Sequence, residues 1–275
     1  MRFNTLGPLE VLHNGQYINP TAPKACNTLA LLLCRANEVV EIPALIDELW
    51  SDNPPRSAVT TTQTYIYQLR KMLGRALGDD ADGPRLVTRA PGYRLRIDED
   101  LIDARVFERR AREGKRLLAA GRAAEASRRL QEALDLWRGP ALADVRTGRV
   151  LEAHVVRLEE TQLGTLQLRV QADMQLGRFR ELVPELRSLV AAHPLNEWLH
   201  AQLIKCLSHS GRRGEALQAY QALRVVLDEE LGLAPSLPLQ RLQQNVLSDA
   251  ADEDVHRAAP MVPSGNRTRT LSHSA

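Results

Sequence analysis

Residues 57–73 read SAVTTTQTYIYQLRKML, and the periodicity of this stretch decides how the rest of the chain is read. Plotted on a helix, Val59, Thr62, Ile66, Leu69 and Leu73 fall on one side, an i, i+3, i+7 stripe that needs a core to cover it. The other side carries Thr60, Thr61, Thr64, Tyr67, Gln68 and Lys71, with Tyr65 at its edge. A solvated helix face normally alternates Glu and Lys at i, i+4 spacing. This one holds no carboxylate, only hydroxyls, an amide, phenols and a cation. Those groups suit duplex DNA: Thr methyls meet the thymine methyl, Gln pairs with adenine, and Lys and Tyr hold phosphates. The alternative at this point is a Thr-rich surface helix with no partner.

The ends of the helix are also marked. Asn53-Pro54-Pro55 enforces an extended approach, Ser57 is a suitable N-cap, and Gly74 or Gly78 is placed to close the C-terminal end.

The charge distribution agrees with a phosphate-binding surface there. The 275 residues carry a net charge of only +2. Residues 1–53 hold 3 basic and 6 acidic side chains, residues 54–97 hold 8 and 3, and residues 98–275 hold 25 of each. The positive excess therefore sits on the segment that starts at the candidate recognition helix, a local basic footprint on a neutral protein.

Upstream, residues 1–19 read as short strands. Leu9–Leu12 and Gln16–Ile18 flank an Asn14-Gly15 hairpin turn. Thr28–Ala36 reads as a helix with Leu29, Leu32 and Leu33 inward, and Val39-Val40 as a brief extended segment. Pro43 suits the first turn of a second helix that points Leu45, Ile46, Leu49 and Trp50 at the core. Downstream, LVTRAPGYRLRI is a hairpin by pattern: Leu86–Arg89, a turn at Ala90-Pro91-Gly92, then Tyr93–Ile97 with Tyr93, Leu95 and Ile97 on one face. Strands, three helices and a terminal hairpin give an α+β winged helix-turn-helix over 1–97, whose third helix enters the major groove while the hairpin lies along the neighbouring backbone or minor groove.

Asp98–Asp103, with four acidic residues, is the expected junction. Residues 104–248 are then helical by periodicity, as in Leu130-Leu134-Trp137 and Leu182-Leu186-Leu189. Gly121-Arg122-x-x-Glu125 recurs as Gly177-Arg178-x-x-Glu181 and Gly211-Arg212-x-x-Glu215. The last two lie one tetratricopeptide period apart, and Pro194 falls where a unit turns over. An all-α, tetratricopeptide-like domain is expected, each helix pair needing the next to cover its apolar face. Residues 249–275, without periodicity, read as a disordered tail.

Composition narrows the function classes. No run approaches the ~20 apolar residues of a membrane span, and MRFNTLGPLEVL lacks the pattern of a signal peptide, so a cytoplasmic protein is expected. Cys26, Cys34 and Cys206 form no CxxC, and the histidines show no metal spacing; reduced buried thiols and no metal or other cofactor are expected. His193, His200 and His209 fit surface or core roles. There is no phosphate loop and no nucleophile–base pair, which argues against an enzyme.

IYQLRKML followed by VTRAPGYRL resembles the output domains of two-component response regulators. The set MRFNTLGPLEV, ALIDELW, PPRSA, QTYIYQLRKMLG and PGYRL resembles the Streptomyces antibiotic regulatory protein family. ALDLWRGPALADV, HPLNEWLHAQLIKCL and GRRGEALQAYQALRVVLDEELGLAP are similar to the bacterial transcriptional activation domain that follows in that family. PKACN at residues 23–27 departs from it, the family being more basic there. The resemblance implies a sequence-specific transcriptional activator of an antibiotic or secondary-metabolite cluster, two protomers bound head to tail on tandem direct repeats and recruiting RNA polymerase. It implies base contacts from Thr61, Thr64 and Gln68, and phosphate contacts from Thr60, Tyr65, Arg70 and Lys71. In the wing it implies Thr88, Arg89 and Arg94. Arg70 also lies beside the core stripe, where pairing with a nearby carboxylate instead of phosphate is the alternative, and Tyr65 fits a core role equally. The loop with Asp52, Asn53 and Arg56 resembles a polymerase-contacting segment; a Pro-stiffened connection is its other reading. A helical-repeat scaffold with a protein-binding N-terminal domain fits the neutral 98–275 region but not the acid-free face.

Overall fold

The computed structural model describes residues 1–77 and 83–257, of which side chains are described for 1–76 and 83–248. Three short antiparallel strands open the chain: β1 (Arg2–Asn4), β2 (Glu10–His13) and β3 (Gln16–Tyr17), in that order across the sheet. Asn14 (φ 49°) and Gly15 (φ 78°) turn β2 into β3, the left-handed pair that a tight hairpin requires.

The first helix, α1, spans Pro23–Cys34 and starts five residues before the Thr28 expected from periodicity. Pro23 occupies its first turn, where the missing N–H costs nothing. Residues 27–33 are all buried, so an amphipathic stripe marks only part of this helix. β4 (Val40–Glu41) leads into α2 (Ile42–Trp50), which buries Leu45 and Leu49 as expected and also buries Glu48; Ile46 and Trp50 are only half-buried. α3 (Ala58–Leu77) follows, then β5 (Arg85–Arg89) and β6 (Gly92–Arg96), which pair with β4 in the order β4-β6-β5. Gly92 lets β4 approach: a Cβ there would meet the Val40 carbonyl oxygen at 1.9 Å. Gly74 does not end α3 but lies within it; Gly78 lies outside the described residues.

A 3-10 turn (Glu99–Leu101) leads to α4 (Asp103–Ala119), α5 (Ala123–Leu134) and α6 (Arg149–Gln175). These helices share one hydrophobic core with the winged region, in which Phe3, Leu6, Leu29, Leu32, Phe107, Leu151 and Leu158 are all at most 1 % exposed. Compact packing accordingly divides the chain at Gly177/Arg178, not at the acidic junction 98–103. That junction marks a change of composition and element type. The N-terminal strands and the helical region are laced together across it. The Asp103 carboxylate accepts the Thr5 N–H (2.7 Å), the Thr5 hydroxyl (2.8 Å) and the Leu6 N–H (3.0 Å). Asp144 accepts the Leu9 N–H at 2.7 Å, and the Asn27 amide donates to the Arg146 carbonyl.

The second unit holds α7 (Phe179–Ala192), α8 (Glu197–His209), α9 (Arg213–Leu231) and α10 (Leu237–Arg257). The Gly-Arg repeat has a structural basis. Gly121, Gly177 and Gly211 adopt φ of 75°, 73° and 74°, and Arg122, Arg178 and Arg212 each stand at the N-cap of the next helix. Arg122 and Arg212 each fork onto the glutamate three residues on, Glu125 at 2.6 Å and Glu215 at 2.7 and 2.8 Å. The left-handed glycine closes one helix and the Arg–Glu pair opens the next. α10 continues through 249–257, which the sequence assigned to the tail. Ala, Asp and Glu are compatible with helix, and the first proline after Leu239 is Pro260. The rest of that tail lies outside the described residues. Among the described residues no helix is long and apolar enough to cross a membrane.

Candidate nucleic-acid interface

α3 buries Ala58, Thr62, Ile66, Leu69 and Leu73, all 5 % exposed or less. Val59, expected on that stripe, is 47 % exposed; the first turn projects past the core, and Ala58 takes the inward position. Thr62 can be buried because its hydroxyl donates to the Ala58 carbonyl at 2.8 Å. The outward face presents Thr60, Thr64, Tyr67, Gln68 and Lys71 to solvent, with Thr61 and Tyr65 half-buried. The Thr64 hydroxyl donates to the Thr60 carbonyl (3.0 Å) and the Thr61 hydroxyl to that of Ser57 (3.4 Å). Such bonds spend the hydroxyl proton on the protein and leave oxygen lone pairs and methyl groups outward. Ser57 precedes the helix, and its carbonyl accepts the Thr61 N–H at 2.8 Å.

Arg70, expected at a phosphate or beside a carboxylate, also contacts the wing. Its Nε donates to the Leu86 carbonyl (2.8 Å), an Nη donates to the Thr88 hydroxyl (2.8 Å), and the guanidinium lies 5.7 Å from the centre of the Tyr93 ring. Among the described residues it has no carboxylate partner, and its bonds to Leu86 and Thr88 fasten the wing to the helix. Thr88 and Arg89 are exposed on β5, and Arg94 is half-buried on β6 with an Nε that has no partner among the described residues. The loop between α2 and α3 exposes Asp52, Asn53 and Arg56.

At the departure PKACN, Lys24 donates to the Leu49 carbonyl and stands 4.7 Å above the Trp50 ring. Burial, then the nearby Arg146, lowers its pKa. Its charge is occupied within the fold. The sequence reading missed the first hairpin as part of this surface. His13, Asn14 and Gln16 face Gln68, Lys71 and Arg75 across a groove beside the C-terminal half of α3. Nothing local in 13–16 signals this, because the proximity is tertiary.

Among the described residues no group of His, Cys, Asp or Glu is arranged to hold a metal. Cys26, Cys34 and Cys206 are free thiols, with burial raising Cys34 and Cys206 to about 11. His200 is buried, with one ring nitrogen 3.0 Å from the Pro194 carbonyl, and His209 stacks on Phe179 at 4.4 Å. Trp137 packs edge-on against Phe107 at 5.4 Å in the core.

A carboxylate-free helix face flanked by a wing, carried on a helical domain, defines a winged helix-turn-helix transcriptional regulator. Residues 19–95 match the family described as "Transcriptional regulatory protein, C terminal", and residues 102–247 match "Bacterial transcriptional activator domain". The chain is 46% identical to "Regulatory protein DnrI" of Streptomyces peucetius over 96% of its own length and 97% of that protein's. It is 36% identical to "Regulatory protein AfsR" of Streptomyces griseus over 94% of this chain but only 26% of that larger protein. The solved structure "Mycobacterium tuberculosis EmbR in complex with low affinity phosphopeptide" superposes with a TM-score of 0.83 at 34% identity, covering 90% of this chain and 65% of that one. The protein belongs to the Streptomyces antibiotic regulatory protein family of DNA-binding transcriptional activators.

Proposed function

We propose that this activator binds tandem direct repeats at the promoters of a secondary-metabolite cluster as two head-to-tail protomers, and that it recruits RNA polymerase. The observation that carries the reading is the outward face of α3, which offers hydroxyls, an amide and a cation and no carboxylate. Thr61, Thr64 and Gln68 read bases. Thr60, Tyr65 and Lys71 hold phosphates, with Thr88, Arg89 and Arg94 following the backbone from the wing. Arg70 acts through the wing. Repeats one helical turn apart put successive recognition helices on the same side of the duplex. Asp52, Asn53 and Arg56 form the exposed segment suited to polymerase contact. Regulatory names among the relatives and the family's domain order support the reading. The test is a titration of duplexes carrying one repeat, two repeats in phase, and two repeats half a turn out of phase. Cooperative binding to the in-phase pair alone is expected; equal, independent filling of all three would refute the paired arrangement.

A further inference from the structure

Outside the α3 surface, one face of α4 and one face of α6 stand apart and leave a groove of about 280 Å³. Its floor is Ala111, Leu168 and the bare backbone at Gly164, and Thr161 and Thr165 complete the α6 side. A Cβ at Gly164 would meet no atom within 4 Å, so the glycine is not required by packing and leaves the space empty. The Thr161 and Thr165 hydroxyls donate to the carbonyls of Arg157 and Thr161 (2.7 Å each), so neither proton is available to a ligand. The rim is cationic: Arg112, Lys115 and Arg157. The one lining carboxylate, Glu108, is already neutralised by Arg157 (2.6 Å) and Arg105 (3.4 Å). Arg112 and Lys115 have no carboxylate partner among the described residues.

We propose that this groove is a binding site for a small organic anion with an apolar body. An apolar floor removes the body from water while two uncompensated cations meet the acidic head, the division of labour usual in ligand pockets. The volume sits near the lower end of such pockets and is too small for a partner helix, which points to a small molecule. The charge complementarity specifies an acid over a neutral compound of the same shape.

The probe is 8-anilinonaphthalene-1-sulfonate, titrated into the full-length protein and followed by its fluorescence, with N-phenyl-1-naphthylamine as the same body without the sulfonate. One site, displaced by decanoate, is expected. Gly164→Leu fills the floor and should raise the Kd at least tenfold for both probes. Arg112→Gln with Lys115→Gln, two exposed positions, should raise it at least fivefold for the sulfonate and leave the amine unchanged. Circular dichroism confirms that each variant is folded; should Gly164→Leu not fold, the charge variant decides alone. Undiminished sulfonate binding in the charge variant, or an equal loss for both probes there, would overturn the proposal.

Discussion

The carboxylate of Glu48, on α2 of the winged region, accepts the backbone N–H of Gly148 at 2.6 Å. Its second oxygen accepts those of Val150 (2.8 Å) and Leu151 (3.3 Å). A side chain of the DNA-binding region therefore caps the first turn of α6, a helix 100 residues later in sequence. An anion at a helix N-terminus satisfies free amides and meets the positive end of the dipole. The approach is close enough to require glycine: a Cβ on Gly148 would stand 2.4 Å from the Glu48 carbonyl oxygen.

Glu48→Ala should thus cost more than a surface change. Several amides lose their acceptor in a largely buried place, and about 2 to 4 kcal/mol of unfolding free energy is expected to go. Urea denaturation followed by far-ultraviolet circular dichroism measures it. A loss under about 0.5 kcal/mol would mean that solvent replaces the cap without penalty.

Arg70→Lys separates a strut from a phosphate contact. Lysine keeps the charge but loses the two-pronged hold on the Leu86 carbonyl and Thr88 hydroxyl. Hydrogen exchange in Leu86–Thr88 should quicken, and affinity for DNA should fall several-fold on specific and scrambled duplexes alike. Full retention of both would assign Arg70 to the phosphates.

Acid lability should trace in part to His154. Burial first, then the Arg157 and Arg105 charges, hold its pKa down at about 4, against the opposing pull of Glu108. Its Nδ1 lies 3.1 Å from an Nη of Arg157. The unfolded chain therefore binds more protons between pH 6.5 and pH 4, so stability is intact above 6.5 and declines as pH falls through this window. The decline is of order 2 to 3 kcal/mol. His200, lowered chiefly by burial, adds a change of the same sign. His154→Gln should flatten the pH dependence of the urea midpoint; an unchanged slope would contradict the assignment.

Two glycines predict opposite signs. Gly74 sits within α3 with open space around a Cβ, so Gly74→Ala should stabilise by roughly 0.5 to 1 kcal/mol. Gly211 has open space too, but its φ of 74° is left-handed, and alanine there should destabilise by about 1 kcal/mol. Thermal melts of the two variants read the difference.

Legibility in the sequence followed the range of the interaction. α3 and the wing were visible because their apolar periods are local and bounded by Pro and Gly. The tetratricopeptide-like turns were visible because each needs a left-handed glycine, followed at Arg122 and Arg212 by an Arg–Glu fork. α1 was misplaced because a helix buried over 27–33 offers little contrast between faces. The carboxylates of Glu48 and Asp103 and the guanidinium of Arg138 were illegible, since their partners lie about 100 to 130 residues away. Arg138 bonds to Glu10 (2.6 Å) and the Pro8 carbonyl (3.1 Å), fastening the segment after α5 to the first hairpin. An acid at Glu48, on the stripe of Leu45 and Leu49, was the one available hint of a buried cap. Of the α3 residues singled out from the sequence, Arg70 is exposed but bonded to the wing at Leu86 and Thr88; Thr60, Thr64, Gln68 and Lys71 face outward, and Thr61 and Tyr65 are half-buried.

The central claim is that the acid-free face of α3 reads sequence in the groove of a duplex. Binding of Gln68→Ala and Lys71→Ala to matched and scrambled promoter repeats, across a salt series, tests it most directly. Gln68→Ala should lose ~1 to 3 kcal/mol on the matched duplex and little on the scrambled one, while Lys71→Ala weakens both and lowers the salt slope by about one. Equal losses on both duplexes for Gln68→Ala, or affinity indifferent to salt, would contradict it.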